Sequence, residues 1–235
     1  MMSRSSMNLL AVLVASFACS SSAGEWAQAA QREPHTPRAH EHRDDHATSE
    51  RRFDDAETWA KHFEDPSRDA WQLPDSIVVT LIDRDDLVVG DIGSATGYFP
   101  ARFARRLPNG MVFGADIEPE MVFFLNDRAR REGLQNLISI LASPDDPHFP
   151  RPVDLVFICN TYHHIDERIG YFERLKQQLA PGARIVIVDY RVDSQRGPPH
   201  KLEHGRVERE MREAGYRLDA SYDFLPEQYF LVFRP

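Results

Sequence analysis

From Leu87 onward the chain repeats one unit: a short apolar run, a turn marked by glycine or proline, and a segment with apolar residues at helical spacing. Residues 87–92 (LVVGDI) form the first run, closed by Gly93. Residues 98–107 then place Phe99, Phe103, Ala104 and Leu107 on one helical face, and Pro108-Asn109-Gly110 turns the chain. Met111–Asp116 reads as the second strand. Residues 118–132 read as a helix with Pro119 in its first turn and Gly133 after its end. Leu137–Leu141 and Val153–Cys159 read as the third and fourth strands. Residues 166–179 predict a helix stopped by Pro181-Gly182, and 183–189 a fifth strand. A helix over 207–214 with Gly215 at its C-cap follows, then closing strands over 217–224 and 229–233. Near-continuous apolar strands must be covered on both faces. The expected architecture is therefore α/β, a doubly wound, mostly parallel sheet between two helical layers. Such sheets bind ligands beyond the C-terminal ends of their strands, where strand order reverses. Functional residues are expected directly after each strand.

The N-terminal part has a different character. Arg4 precedes residues 9–18 (LLAVLVASFA), an apolar run too short to span a bilayer, which takes about 20 residues. Small residues follow, Cys19-Ser-Ser-Ser-Ala-Gly24. This is the layout of an export signal, so 1–24 is expected to be a signal peptide or lipoprotein leader. Ser21 and Ala23 suit cleavage before Gly24. Alternatively Cys19 is the lipidated first residue of a lipoprotein, although Ser16 stands where an aliphatic residue is usual. A functional leader implies an exported or membrane-anchored protein, and a non-functional one a cytoplasmic protein. Residues 25–52 hold many His, Arg, Glu and Pro and few large apolar side chains, so they read as a disordered linker. His35, His40, His42 and His46 lie there, in a composition that suits a solvated tether. The folded domain is expected over 53–235. It opens with helical spacing at Ala56, Trp59, Ala60 and Phe63; Arg68, Trp71 and Gln72 precede the first strand.

The residues around the first two strands carry the chemistry. Asp91-Ile92-Gly93-Ser94-Ala95-Thr96-Gly97 follows the first strand, where glycine lets backbone approach a ligand closely. Asp116 ends the next strand, at the place where an acid accepts hydrogen bonds from ribose hydroxyls. A dinucleotide site would need G-x-G-x-x-G, but Ala95 and Tyr98 stand at its second and third glycines. Diphosphate recognition is thereby disfavoured, and an adenosine cofactor without phosphate is favoured. The net charge of −9 and arginines scattered among acids argue against a nucleic-acid groove. Cys159 reads as a buried thiol, and two cysteines in all exclude a cysteine-rich zinc site.

These motifs resemble those of the class I S-adenosylmethionine-dependent methyltransferases. The resemblance rests on Asp91-Ile-Gly-Ser-Ala-Thr-Gly97, Ala115-Asp-Ile-Glu-Pro119, Asn160-Thr-Tyr-His-His164 and Leu179-Ala-Pro-Gly182 with the strand after it. The third segment is similar to that of the ubiquinone-type and arsenite-type branches. The resemblance implies a Rossmann-like seven-stranded sheet of order 3-2-1-4-5-7-6 with strand 7 antiparallel. It also implies S-adenosylmethionine as cofactor. Gly93, Ala95 and Gly97 would then pass close to the methionine part, and Asp91 would orient the loop and the amino group. Asp116 would hold the ribose, and Ile117 would pack on adenine. Ser143 or Asp145 would approach the adenine edge, and Asn160 the methionine end. Ala95 departs from the family's middle glycine.

Tyr162, His163 and His164 follow the fourth strand, where a histidine can act as a general base. Tyr162 and His163 are the catalytic candidates. The alternative has one histidine packing against backbone and the other capping the next helix. No metal site is expected. Two functions follow: methyl transfer to a small-molecule acceptor, or a non-catalytic exported protein on the same scaffold. Glu203, His204 and Glu208 near the last helix read as a solvated face.

Overall fold

The apolar runs lie side by side in one sheet. A computed structural model describes residues 55–235. The expected leader and linker, Cys19, the four linker histidines and Phe53 lie outside the described residues. The strands are β1 (Val88–Ile92), β2 (Met111–Asp116), β3 (Leu137–Leu141), β4 (Val153–Cys159), β5 (Leu179–Tyr190), β6 (Arg217–Tyr222) and β7 (Gln228–Arg234). Their order across the sheet is β3-β2-β1-β4-β5-β7-β6. Neighbours from β3 to β5 pair in parallel, and β7 runs antiparallel to both β5 and β6. This is the expected Rossmann-like topology. The order reverses between β1 and β4, which puts a ligand crevice at their C-terminal ends.

Two cores explain why the central strands lack alternation. On one face, α3 (Pro74–Leu81), α4 (Pro100–Arg106) and α5 (Pro119–Arg131) pack Ile77, Leu81, Phe103 and Leu125 against Val89, Leu155 and Phe157. On the other, α6 (Arg168–Leu175) and α7 (His204–Glu213) pack Phe172, Leu175, Val207 and Met211 against Val156, Ile158 and Ile187. Successive β4 residues therefore enter opposite cores. Each fully buried side chain of this size contributes about 1.5–3 kcal/mol.

Several boundaries differ from expectation, each for a local reason. Tyr98 and Phe99 still belong to the turn, and α4 begins at Pro100, whose fixed φ suits a first helical position. The helix expected over 166–179 starts at Arg168 and leaves α geometry after Leu175, tightening into a 3-10 turn over Lys176–Gln178. β5 starts at Leu179, so Pro181-Gly182 fall inside the strand. They form a bulge, with Val153 and Leu155 facing Leu179 and Arg184. The last helix starts at His204. Two short helices precede β1's layer: α1 (Ala56–Phe63) and α2 (Ser67–Gln72). Leu73, at φ +47°, turns the chain from α2 into α3.

Candidate functional site

The turn after β1 folds back onto the end of β2. The Gly93 N–H donates to the Ala115 carbonyl at 2.8 Å, and the Ala95 N–H donates to Asp116 Oδ2, also at 2.8 Å. The other carboxylate oxygen, Oδ1, accepts the Glu118 N–H at 3.0 Å. Gly93, Ala95 and Gly97 all have positive φ, at +74°, +45° and +94°. For alanine that conformation costs about 1–2 kcal/mol, and the Asp116 bond holds it. A Cβ on Gly97 would overlap Leu125 of α5, and one on Gly93 would overlap the Thr161 side chain. These two glycines thus let the turn sit tightly between α5 and the segment after β4. Burial raises the pKa of Asp116, against which the Glu118 and Ala95 N–H groups work.

The remaining predicted residues gather at the same sheet edge, with different duties. Asp91 is buried at the end of β1, and no hydrogen bond to its carboxylate is present among the described residues. Desolvation, then the Asp116 charge, push its pKa well up, while Arg68 pulls it down. Ile117 leaves 55% of its surface exposed beside Asp116. Ala142 N–H donates to the Asp116 carbonyl at 2.8 Å, which brings the turn after β3 alongside. In that turn Ser143 Oγ donates to Asp145 Oδ1 at 2.7 Å and holds the exposed Asp145 carboxyl below its ordinary pKa. Asn160, at φ +57°, turns its side chain toward β5 and β7: its Oδ1 accepts from Gln228 Nε2 at 2.6 Å, and its Nδ2 donates to Tyr190 Oη at 3.3 Å.

The two catalytic candidates separate. Tyr162 is fully buried and its Oη donates to Glu210 of α7 at 2.8 Å; Arg168 holds the same carboxylate at 2.7 Å. That ties Tyr162 to the α6–α7 layer as an anchor, away from the edge it was expected to serve. His163 has a base's arrangement. Its Nδ1 lies 2.8 Å from Asp189 Oδ2, with both side chains about 5% exposed or less. A neutral imidazole facing a carboxylate carries its proton on Nδ1, which leaves Nε2 as an acceptor. No hydrogen bond among the described residues engages Nε2. Asp189, near the end of β5, is the orienting group that strand periodicity did not single out; an acid closing an apolar strand was the available signal.

Residues 91–185 match the sequence profile of a family described as a methyltransferase domain. A malonyl-[acyl-carrier protein] O-methyltransferase 2 of Ilyobacter polytropus is 24% identical over 123 residues, covering 52% of this chain and 47% of the relative. The chain thus spans about half the length of that curated relative. A methyltransferase from Aquifex aeolicus superposes with a TM-score of 0.70 at 22% identity, covering 75% of this chain and 96% of that one. Magnesium protoporphyrin IX methyltransferase from Synechocystis, solved with S-adenosylhomocysteine, gives a TM-score of 0.59 at 14% identity, covering 75% and 92%. The fold is that of the class I methyltransferases. S-adenosylmethionine is the cofactor that these findings support.

The edge formed by the turn after β1 and the end of β2 fits that cofactor on its own chemistry. Asp116 uses two of a carboxylate's roughly four acceptor positions, which leaves capacity for ribose hydroxyls. Ile117 offers apolar surface beside it. Asp91 is a buried carboxyl whose ionised form burial penalises, and a cationic ligand group would relieve that penalty. Over this edge lie α1 and α2, in keeping with the expectation that the segment before the first strand, with Arg68, Trp71 and Gln72, lies over the cofactor. Glu64, the C-cap of α1, accepts from Thr96 Oγ1 at 2.8 Å and from Arg128 Nη1 at 2.7 Å. Gln72 of α2 donates to Cys159 Sγ at 3.0 Å and to Gln228 Oε1 at 2.9 Å. Trp71 stacks on Tyr190 at 5.9 Å between centroids. The two helices therefore cover the turn after β1 and the ends of β4, β5 and β7 together.

Proposed function

We propose that this protein transfers the methyl group of S-adenosylmethionine to a small-molecule acceptor that gives up a proton on methylation. The bound cofactor supplies an electrophilic methyl group on a sulfonium. The observation that carries the reading is the 2.8 Å bond from the Ala95 N–H to Asp116, which unites the turn after β1 and the acid after β2 in one site. Asp116 and Ile117 would hold the adenosine, and the covered edge would exclude water and align the acceptor. His163, oriented by Asp189, would take the acceptor's proton on Nε2. The Ilyobacter relative is by its name an O-methyltransferase, which supports an oxygen acceptor; a hydroxyl acceptor, unlike an already ionised carboxylate, would use a base at this place.

Calorimetric titration with S-adenosylhomocysteine tests the reading. The folded chain is expected to bind, and Asp116→Asn to weaken binding about tenfold or more, the size of a lost hydrogen bond to a charged group. No binding by a folded wild-type chain would sink the proposal. The non-catalytic alternative has no supporting observation at this site.

A further inference from the structure

A one-way chain of hydrogen bonds runs from α2 to the end of β5. It starts at Arg68, a side chain with donors and no acceptor, so Gln72 must turn its oxygen to Arg68 Nε. Gln72 Nε2 then donates to Gln228 Oε1 at 2.9 Å, and Gln228 Nε2 to Asn160 Oδ1 at 2.6 Å. Asn160 Nδ2 donates in turn to Tyr190 Oη at 3.3 Å. Each amide takes its orientation from the one before it, and both glutamines are buried from competing water. The Tyr190 oxygen is therefore an acceptor within the chain, and its own O–H proton has no partner among the described residues. Burial pushes the Tyr190 pKa up to about 12, so that proton stays in place at neutral pH.

A cation and the base lie beside this hydroxyl. The Tyr190 ring stacks on Trp71, and the Arg196 guanidinium carbon is 5.0 Å from the Trp71 ring centroid. Gly197, at φ +82°, holds the loop after β5 against Tyr190, because a Cβ there would overlap the tyrosine ring. Among the described residues no ion pair or side-chain hydrogen bond engages the Arg196 guanidinium. Asp189 Oδ1 accepts the Tyr190 N–H at 2.8 Å, while Oδ2 lies 2.8 Å from His163 Nδ1. One strand end thus carries an unused hydroxyl donor, an unpaired guanidinium and the oriented histidine.

We propose that the methyl acceptor is a hydroxy acid, whose carboxylate is received by the Tyr190 hydroxyl and Arg196 while its hydroxyl meets His163. The assignment rests on the methyl-transfer reading above and names its substrate class. One O–H donor and one guanidinium match the two oxygens and the single charge of a carboxylate. The stack on Trp71 and the bond from Asn160 hold the Tyr190 hydroxyl in place before the acceptor arrives, so little ordering entropy is lost on binding. An acceptor without the carboxylate leaves both donors unmatched, which is how a polar site discriminates strongly.

The probes are 2-, 3- and 4-hydroxybenzoate and 3-hydroxybutanoate, with 3- and 4-methylphenol as analogues that keep the hydroxyl and lack the carboxylate. Each is titrated in a calorimeter into the full chain saturated with S-adenosylhomocysteine. At least one of the acids is expected to bind about tenfold or more tightly than the methylphenols. Tyr190→Phe and Arg196→Gln should each weaken that acid about 10–100-fold, as loss of a charge-assisted hydrogen bond does, and leave the methylphenols within about twofold. Tyr190→Phe keeps the ring on Trp71, so a loss confined to the acid isolates the O–H group. If that variant does not fold, Arg196→Gln, at an exposed position, must still show the selective loss. Equal weakening of acids and methylphenols would make the two residues structural and overturn the assignment, as would unchanged acid affinity in either variant. A wild-type chain that binds S-adenosylhomocysteine but prefers none of the acids refutes only this inference, whereas one that does not bind S-adenosylhomocysteine refutes the cofactor reading with it.

Discussion

Asp91 and His163 show two ways in which a single side chain bears the cost of a site. Burial and the Asp116 charge raise the folded pKa of Asp91 above its ordinary value. The native chain then binds more protons than the unfolded one between those two values, so this group's contribution to stability falls as pH rises through that window. At pH 7 the buried carboxylate is a net cost, and Asp91→Asn should raise the melting temperature. Each 1 kcal/mol shifts a domain of this size by about 2–4 °C. The gap should close as the pH is lowered below the ordinary aspartate range; a variant that melts lower than wild type at pH 7 would contradict the sign. In His163, Asp189 satisfies Nδ1 and leaves Nε2 available. His163→Ala should lower kcat by about 10²–10⁴-fold, the range for a general base, with S-adenosylhomocysteine affinity unchanged. Asp189→Asn should act in the same direction. Full kcat in His163→Ala would remove the base from the mechanism.

At the scale of elements, α1 and α2 depend on polar latches more than on buried apolar area. Ala56 is the buried residue of α1, and Gln72 that of α2. Glu64 joins α1 to Thr96 and Arg128, and Gln72 joins α2 to Cys159 and Gln228. Glu64→Ala should therefore loosen these helices without touching the sheet. A loss of about 1–2 kcal/mol of local stability corresponds to roughly 5–30-fold faster amide exchange. Hydrogen exchange should show that change over 56–72 and leave β1, β4 and β5 protected as before. Equal deprotection of the central strands would show that the latch belongs to the global core instead. By contrast α5 and β4 are held by side chains such as Leu125 and Phe157, both fully buried. The ring of Phe157 packs 4.7 Å from Phe99 and 5.2 Å from Phe103, which ties the turn's first helix to the sheet.

For the whole molecule, the sequence pattern of residues 1–24 bears on where the chain meets its cofactor. Residues 1–24 lie outside the described residues, and we propose that they direct export. Cell fractionation with intact-mass measurement checks this. The mature chain is expected to begin at Gly24, or at a lipid-modified Cys19; a soluble cytoplasmic product that retains Met1 would refute the leader. Within 55–235 the sheet brings residues far apart in sequence to one edge. Glu64 meets Thr96 and Arg128, and Gln72 meets Gln228.

The strands, most of the helices, the turn after β1 and Asp116 were legible in the sequence because they depend on local patterns. An apolar run buried on both faces, a proline at a helix start and an acid at a strand end each leave a mark within a few residues. The partners of those residues left none. Asp189 reaches His163 across 26 positions, and Gln228 reaches Asn160 across 68. The sequence places Arg68 in a segment expected over the cofactor, but its stacking on Tyr98 and its closeness to Phe99 follow from how α2 packs. Tyr162 and His163, adjacent in sequence, were equal candidates until the 3-10 turn sent one to Glu210 and the other to Asp189. Such pairings follow from how the layers pack, so only the tertiary structure decides them.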